Sequence, residues 1–182
     1  IRKYIDEEKY KLLYMEIESE VLNMYDEKIC NFYANEVHLG VTIVPFVANK
    51  IKEENKICTL LNVDINNEIE KVISKINIEE SLKDKILEIN WNKTKLEGNE
   101  IKQYLDNELE NNNKIYVIIN GNKNEVEEKN KYIEEIRKEN MDKTINVVNC
   151  FEIEHTEVNK ALLRNYHKIL NSEGCRYIKN VK

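Results

Sequence analysis

Apolar residues recur at intervals of three and four near the start of the chain. Tyr10, Leu13, Tyr14, Ile17, Val21 and Met24 form one stripe, with Glu and Lys filling the other faces. This period predicts an amphipathic helix over 6–25. From Lys28 onward the pattern changes to short β-branched runs that alternate with longer charged stretches of helical period. Ile29–Tyr33 reads as a strand. Residues 37–55 read as a helix, with Leu39, Ile43, Phe46, Val47 and Ile51 on one side and Pro45 as a kink in its first turns. Lys56–Val63, centred on Ile57-Cys58-Thr59-Leu60-Leu61, has the continuous apolar character of a buried parallel strand. Asp64-Ile65-Asn66-Asn67 can cap a helix over 68–76. Ser81 with Asp84 opens a further turn of helix, and 86–91 alternates like a strand.

The second half repeats the theme. Residues 99–111 predict a helix striped by Ile101, Leu105 and Leu109, and 114–120 form the clearest strand before Gly121 breaks it. A charged helix over 125–140 turns Val126, Ile133 and Ile136 inward, and 145–151 is another strand. Thr156 can cap a helix over 157–170 that Gly174 ends, and Tyr177-Ile178 adds an edge strand. Strands alternating with single helices predict an α/β fold of three layers: a mostly parallel sheet with helices on both faces, behind the N-terminal amphipathic helix. The expected division is 1–27 as a linking or dimerising helix and 28–182 as one α/β domain.

Composition narrows the classes. With 4 Gly and 1 Pro in 182 residues there are too few turn formers for an all-β chain. The 34 Asp and Glu against 28 Lys and Arg give a net charge of −6, which disfavours a nucleic-acid-binding face. No apolar run reaches the length of a membrane helix, and the first residues lack the apolar core of a signal peptide. The expectation is therefore a cytoplasmic domain with neither membrane nor nucleic-acid contact. The absence of an initiator Met fits a piece of a longer chain. Cys30, Cys58, Cys150 and Cys175 contain no C-x-x-C, and their spacing suits neither a zinc site nor a disulfide framework, so they read as structural thiols.

Chemistry-bearing motifs are sparse. The turn after the first strand, Phe32-Tyr33-Ala34-Asn35-Glu36-Val37-His38-Leu39-Gly40, has one Gly, no Lys-Ser/Thr pair and a Glu where phosphate would lie. A Mg²⁺-holding carboxylate is expected at the end of a later strand, but Val117-Ile118-Ile119 runs into the neutral Asn120-Gly121. Gly-x-Ser-x-Gly does not occur. Cys150 with His155 could form a thiol–imidazole couple, and Glu152-x-Glu154-His155 could offer metal ligands. A packed Cys and solvated carboxylates explain both more simply, so no catalytic residue, metal or cofactor is expected. Trp91, the only Trp, stands where a strand would end and suits either a pocket wall or the edge of the core.

The run KICNFYANEVHLGVTIVPFVANKIKEENKICTLLNV over 28–63 resembles the opening of the MEDS domain, the sensory domain named for methanogens, methylotrophs and a dichloromethane-responsive regulator. The resemblance rests on Phe32-Tyr33, Asn35-Glu36, Val44-Pro45-Phe46 and Asn55-Lys56-Ile57-Cys58. It extends more loosely through Trp91, Asn149-Cys150-Phe151 and Leu162–His167 to about Leu170. Lys28 stands where that family often has His, and Glu152 and Glu154 stand where it has polar or basic residues. The resemblance implies a RecA/KaiC-like fold without ATPase motifs, serving prokaryotic signal transduction and transcription regulation. A small apolar or hydrocarbon-derived ligand would sit at the strand ends against Phe32, Tyr33, Trp91, Asn120 and Cys150. The signal would leave through Tyr10, Tyr14, Ile17 and Val21 to a homodimer partner, a regulatory protein or a fused output domain. The alternatives are a protein-interaction module without a small ligand and a degenerate nucleotide-binding protein.

Overall fold

A computed structural model describes residues 26–178, so the predicted helix over 6–25, with Tyr10, Tyr14, Ile17 and Val21, lies outside the described residues. Six strands form one sheet: β1 (Lys28–Tyr33), β2 (Lys56–Leu60), β3 (Lys114–Gly121), β4 (Thr144–Glu152), β5 (Lys168–Asn171) and β6 (Gly174–Tyr177). Their order is β2-β3-β4-β1-β5-β6; every pairing is parallel except the β5–β6 hairpin. The helices are α1 (Glu36–Lys52), α2 (Asn66–Ile73), α3 (Glu80–Leu87), α4 (Asn99–Asn111), α5 (Lys123–Glu139) and the single turn α6 (Lys160–Leu163).

The near-continuous apolar strands follow from burial on both faces. One core cluster joins Ile29, Tyr33, Ile118 and Val148 to α1, α2 and α3 through Leu39, Ile43, Phe46, Ile69 and Leu82. The other joins Cys30, Leu60, Val117 and Phe151 to α4, α5 and α6 through Ile101, Leu105, Ile133 and Leu162. Each fully buried Ile, Leu or Phe contributes about 1.5–3 kcal/mol, so the two clusters together hold the three layers. The sheet with helices on both faces is the predicted architecture.

Four local expectations are corrected. Residues 86–91 are not a strand: α3 runs to Leu87, and the chain then turns so that Ile86 and Trp91 pack inward while Leu87 faces solvent. The helix over 157–170 shrinks to α6, because Lys168–Asn171 pair with β1 and with β6. Gly174 (φ +115°) serves the hairpin turn rather than a helix end. Pro45 lies midway along α1 on its exposed side, not in the first turns.

Candidate functional site

In parallel sheets the carboxyl ends of the strands are where ligands usually gather. Here Tyr33, Asn120 and Cys150 come together at the ends of β1, β3 and β4, all buried. Burial pushes the Tyr33 hydroxyl well above its ordinary value; Cys150 and Glu152 add to the rise, and the nearby Asn120 amide offsets part of it. Asn120 Oδ1 accepts from Asn62 N–H at 2.7 Å, while its Nδ2 has no regular hydrogen bond. Phe32, one residue before Tyr33, points to the opposite face and stacks on Phe151 at 5.7 Å. Trp91 stands on the β2 side of the molecule, fully buried, with Nε1 donating to the Ile86 carbonyl at 2.8 Å. Of the five residues proposed to line one pocket, the structure thus gathers three and separates Phe32 and Trp91 from them.

The helix starts at these strand ends are already engaged. Asn35 Oδ1 accepts from His38 N–H at 2.9 Å, and His38 Nδ1 accepts from Ala34 N–H at 3.2 Å, closing the turn into α1. At α5, Asn122 and Glu125 form a reciprocal capping box. Glu125 Oε2 also lies over Gly121, where a Cβ would come within 2.5 Å of it and of Asn62 Nδ2. Lys129 completes this corner, donating to the Leu60 carbonyl at 3.1 Å and to Asn62 Oδ1. Its burial lowers the ammonium pKa.

The paired chemistry sought in the sequence is dispersed. Cys150 is fully buried and its pKa is raised by burial, the reverse of an activated thiol. His155 lies in a 3₁₀ turn (Ile153–His155), with Nε2 3.9 Å from Glu152. No cluster of three or more His, Cys, Asp or Glu able to hold a metal occurs among the described residues. Burial likewise raises Cys30 and Cys58 to about 12, and Cys175 is the exposed thiol.

A groove of about 830 Å³ opens elsewhere, along the outer side of β2. Its floor is Ile57 and Thr59. One wall is the end of α1 and α3 (Ile51, Lys85, Ile89), and the other is α4 with Leu96 and Tyr104. The segment 90–94 straps the far half of this strand: Thr59 Oγ1 donates to the Asn90 carbonyl at 2.5 Å, and Leu61 N–H donates to Thr94 Oγ1 at 2.9 Å. Thr94 N–H returns a bond to the Leu61 carbonyl at 2.7 Å. Sequence reasoning missed this surface. Its one signal is the density of Lys between Lys85 and Lys95, which periodicity assigns to no face.

The comparisons with known proteins overturn the family reading. A model described as "Calcium-activated potassium channel, beta subunit" (CaKB) matches residues 29–171, from the start of β1 to the end of β5. A search of curated proteins finds no match. The MEDS resemblance is therefore corrected. The residues that carried it are packing residues: Phe32 stacks on Phe151, Phe46 meets Tyr116 edge-on, and Ile57 and Cys58 fill β2. Such a pattern is what any two-sided parallel sheet requires, and it does not identify a sensor. With it fall prokaryotic signal transduction, transcription regulation and the hydrocarbon ligand. The expected output partners and the cytoplasmic, membrane-free placement fall too, since the matched description names a subunit of a channel. No described helix is long and apolar enough to cross a membrane. The matched description is of an auxiliary subunit rather than an enzyme. With about four-fifths of its 182 residues inside that model, the chain belongs to the calcium-activated potassium channel beta subunit family.

Proposed function

We propose that this chain is a non-catalytic auxiliary subunit that modulates a calcium-activated potassium channel by docking on it. The observation that carries the reading is the family match, which spans the whole parallel part of the sheet. The chemistry of the strand ends is compatible with it. Tyr33, Cys150 and Asn120 are packed as core, and the starts of α1 and α5 are capped by the chain's own Asn35, Asn122 and Glu125. A domain built this way acts by binding one conformation of a partner better than another. The described helices are water-exposed on their outer sides, so residues 26–178 would meet the channel through surface contacts.

The test is co-expression with a pore-forming subunit of a calcium-activated potassium channel, with currents recorded over a range of calcium and voltage. The expected result is a shift in half-activation voltage or calcium sensitivity, together with co-purification of the two chains. Unaltered gating with no co-purification would remove the reading.

A further inference from the structure

The outer side of β2 carries an inference that deepens the auxiliary-subunit reading and rests on it for the partner's identity. Among the described residues β2 is the parallel edge of the sheet, paired on one side only, with β3. Backbone groups of a strand alternate in direction. Leu61 N–H and C=O face outward to Thr94, and Asn62 N–H faces the β3 side to Asn120. The same alternation turns Ile57 and Thr59 outward, onto the floor of the 830 Å³ groove. Among the described residues, no hydrogen bond reaches the outward backbone groups of Ile57. Only the Tyr104 hydroxyl stands against the Thr59 backbone. The strap closes the strand at Leu61 and holds the Thr59 hydroxyl through Asn90, so the unpaired outward backbone is that of Ile57, with Thr59 next to it facing only Tyr104.

The walls select a charge. Lys56 is matched by Glu108 at 3.1 Å, which leaves Lys85, Lys93 and Lys95 against Glu88. None of those four has an ion-pair partner among the described residues. In a chain of net charge −6, this is a positive rim around an unpaired strand edge. Ile51, Ile57, Ile89 and Leu96 supply apolar contacts between the lysines and the floor.

We infer that this groove binds an extended acidic segment of the partner protein as a seventh strand beside β2. The segment's backbone pairs with Ile57 and takes the place of the Tyr104 hydroxyl at Thr59, alternate side chains enter the apolar walls, and its carboxylates face Lys85, Lys93 and Lys95. Strand addition of this kind takes affinity from main-chain hydrogen bonds and specificity from alternate side chains.

The probe is a fluorescein-labelled peptide of about eight residues alternating Val with Glu, long enough to run past both ends of the five-residue β2. Its counterpart alternates Val with Lys. Binding is followed by fluorescence polarisation on the full chain at low and moderate salt, and amide exchange is followed at Ile57 and Thr59. The expected result is salt-sensitive binding of the Glu peptide, slowed exchange at the Ile57 amide, and at least about tenfold weaker binding of the Lys peptide. The surface variant K85E/K93E/K95E, which touches no core residue, should reverse that preference. Equal binding of the two peptides, no binding of either, or protection that spares Ile57 would overturn the proposal. The two readings fail separately. A triple variant that still co-purifies with and modulates the channel moves docking off this groove and keeps the subunit reading. Peptide binding at β2 without any channel effect does the converse.

Discussion

The two ends of the sheet solve the same problem in opposite ways. At one end, β5 and β6 close the sheet with a hairpin of short strands, and the last strand is mostly exposed. Lys168 lies across that hairpin, with its ammonium 4.8 Å from the Tyr177 ring and ion-paired to Glu27. Short, charged, hairpin-bound strands are how proteins keep an edge from recruiting others. At the other end, β2 has four of five residues buried, no hairpin, and a strap that covers only its far half. An edge that is guarded is structural; an edge left half open beside a groove is one on which another chain can build.

That contrast can be broken most sharply at Trp91. It is the fully buried residue of the strap and is anchored through Nε1 to Ile86, so Trp91→Ala should cost about 3–5 kcal/mol in urea unfolding and free the whole length of β2. A loss below about 1 kcal/mol would mean that the strap is held by something else. Next is Gly121→Ala, which asks a side chain to adopt φ +144° and to sit 2.5 Å from Asn62 and Glu125. About 1–3 kcal/mol should be lost, seen as a lowered Tm, with faster exchange at Asn62 N–H as its bond to Asn120 loosens.

A smaller change sharpens the comparison. Thr94→Val removes the acceptor for Leu61 N–H while keeping the side chain's shape, and should cost about 1–2 kcal/mol. Exchange at Leu61 should speed up while the β5–β6 amides stay unchanged, separating the two edges in one experiment. The smallest effect belongs to the guarded edge. Burial opposes the charge of Lys168, but Glu27 outweighs it, so its folded pKa is raised. A raised lysine contributes stability that is complete below the unfolded value near 10.5 and is lost as pH climbs through the folded one. Wild type should therefore exceed Lys168→Met by about 1 kcal/mol or less at neutral pH, with the gap closing above pH ~10.5. A gap that persists undiminished into strong alkali would assign the stabilisation to packing on Tyr177 rather than to charge.

The layered architecture was legible because each central strand is apolar on both faces and each long helix carries a stripe, as Ile101, Leu105 and Leu109 show in α4. The errors came where two periods fit the same residues. Leu162, Leu163 and Tyr166 carry a helical spacing into Ile169 and Leu170, and only pairing with β1 turns the last of them into strand. Ile86, Ile89 and Trp91 alternate as a strand would, yet Ile86 ends a helix and Trp91 plugs the layer beneath it. The groove was illegible for a different reason. Ile57–Leu61 has the composition of a central strand, and nothing local says that it ends the sheet, because strand order is set by crossovers made elsewhere in the chain. The family resemblance misled in the same manner, reading packing residues such as Phe32 and Phe46 as marks of a sensor.

The four thiols divide the molecule's chemical ageing into two clocks. Cys175 lies on the exposed hairpin strand and is the thiol that reagents can reach in the folded chain, although partial burial raises its pKa as well. Cys30, Cys58 and Cys150 are sealed in the two core layers and held as neutral thiols by burial, so they react only when the sheet itself comes apart. In storage or in an oxidising environment, wear therefore begins at the edge of the hairpin. A second label appearing on the chain would record an unfolding event rather than another surface encounter.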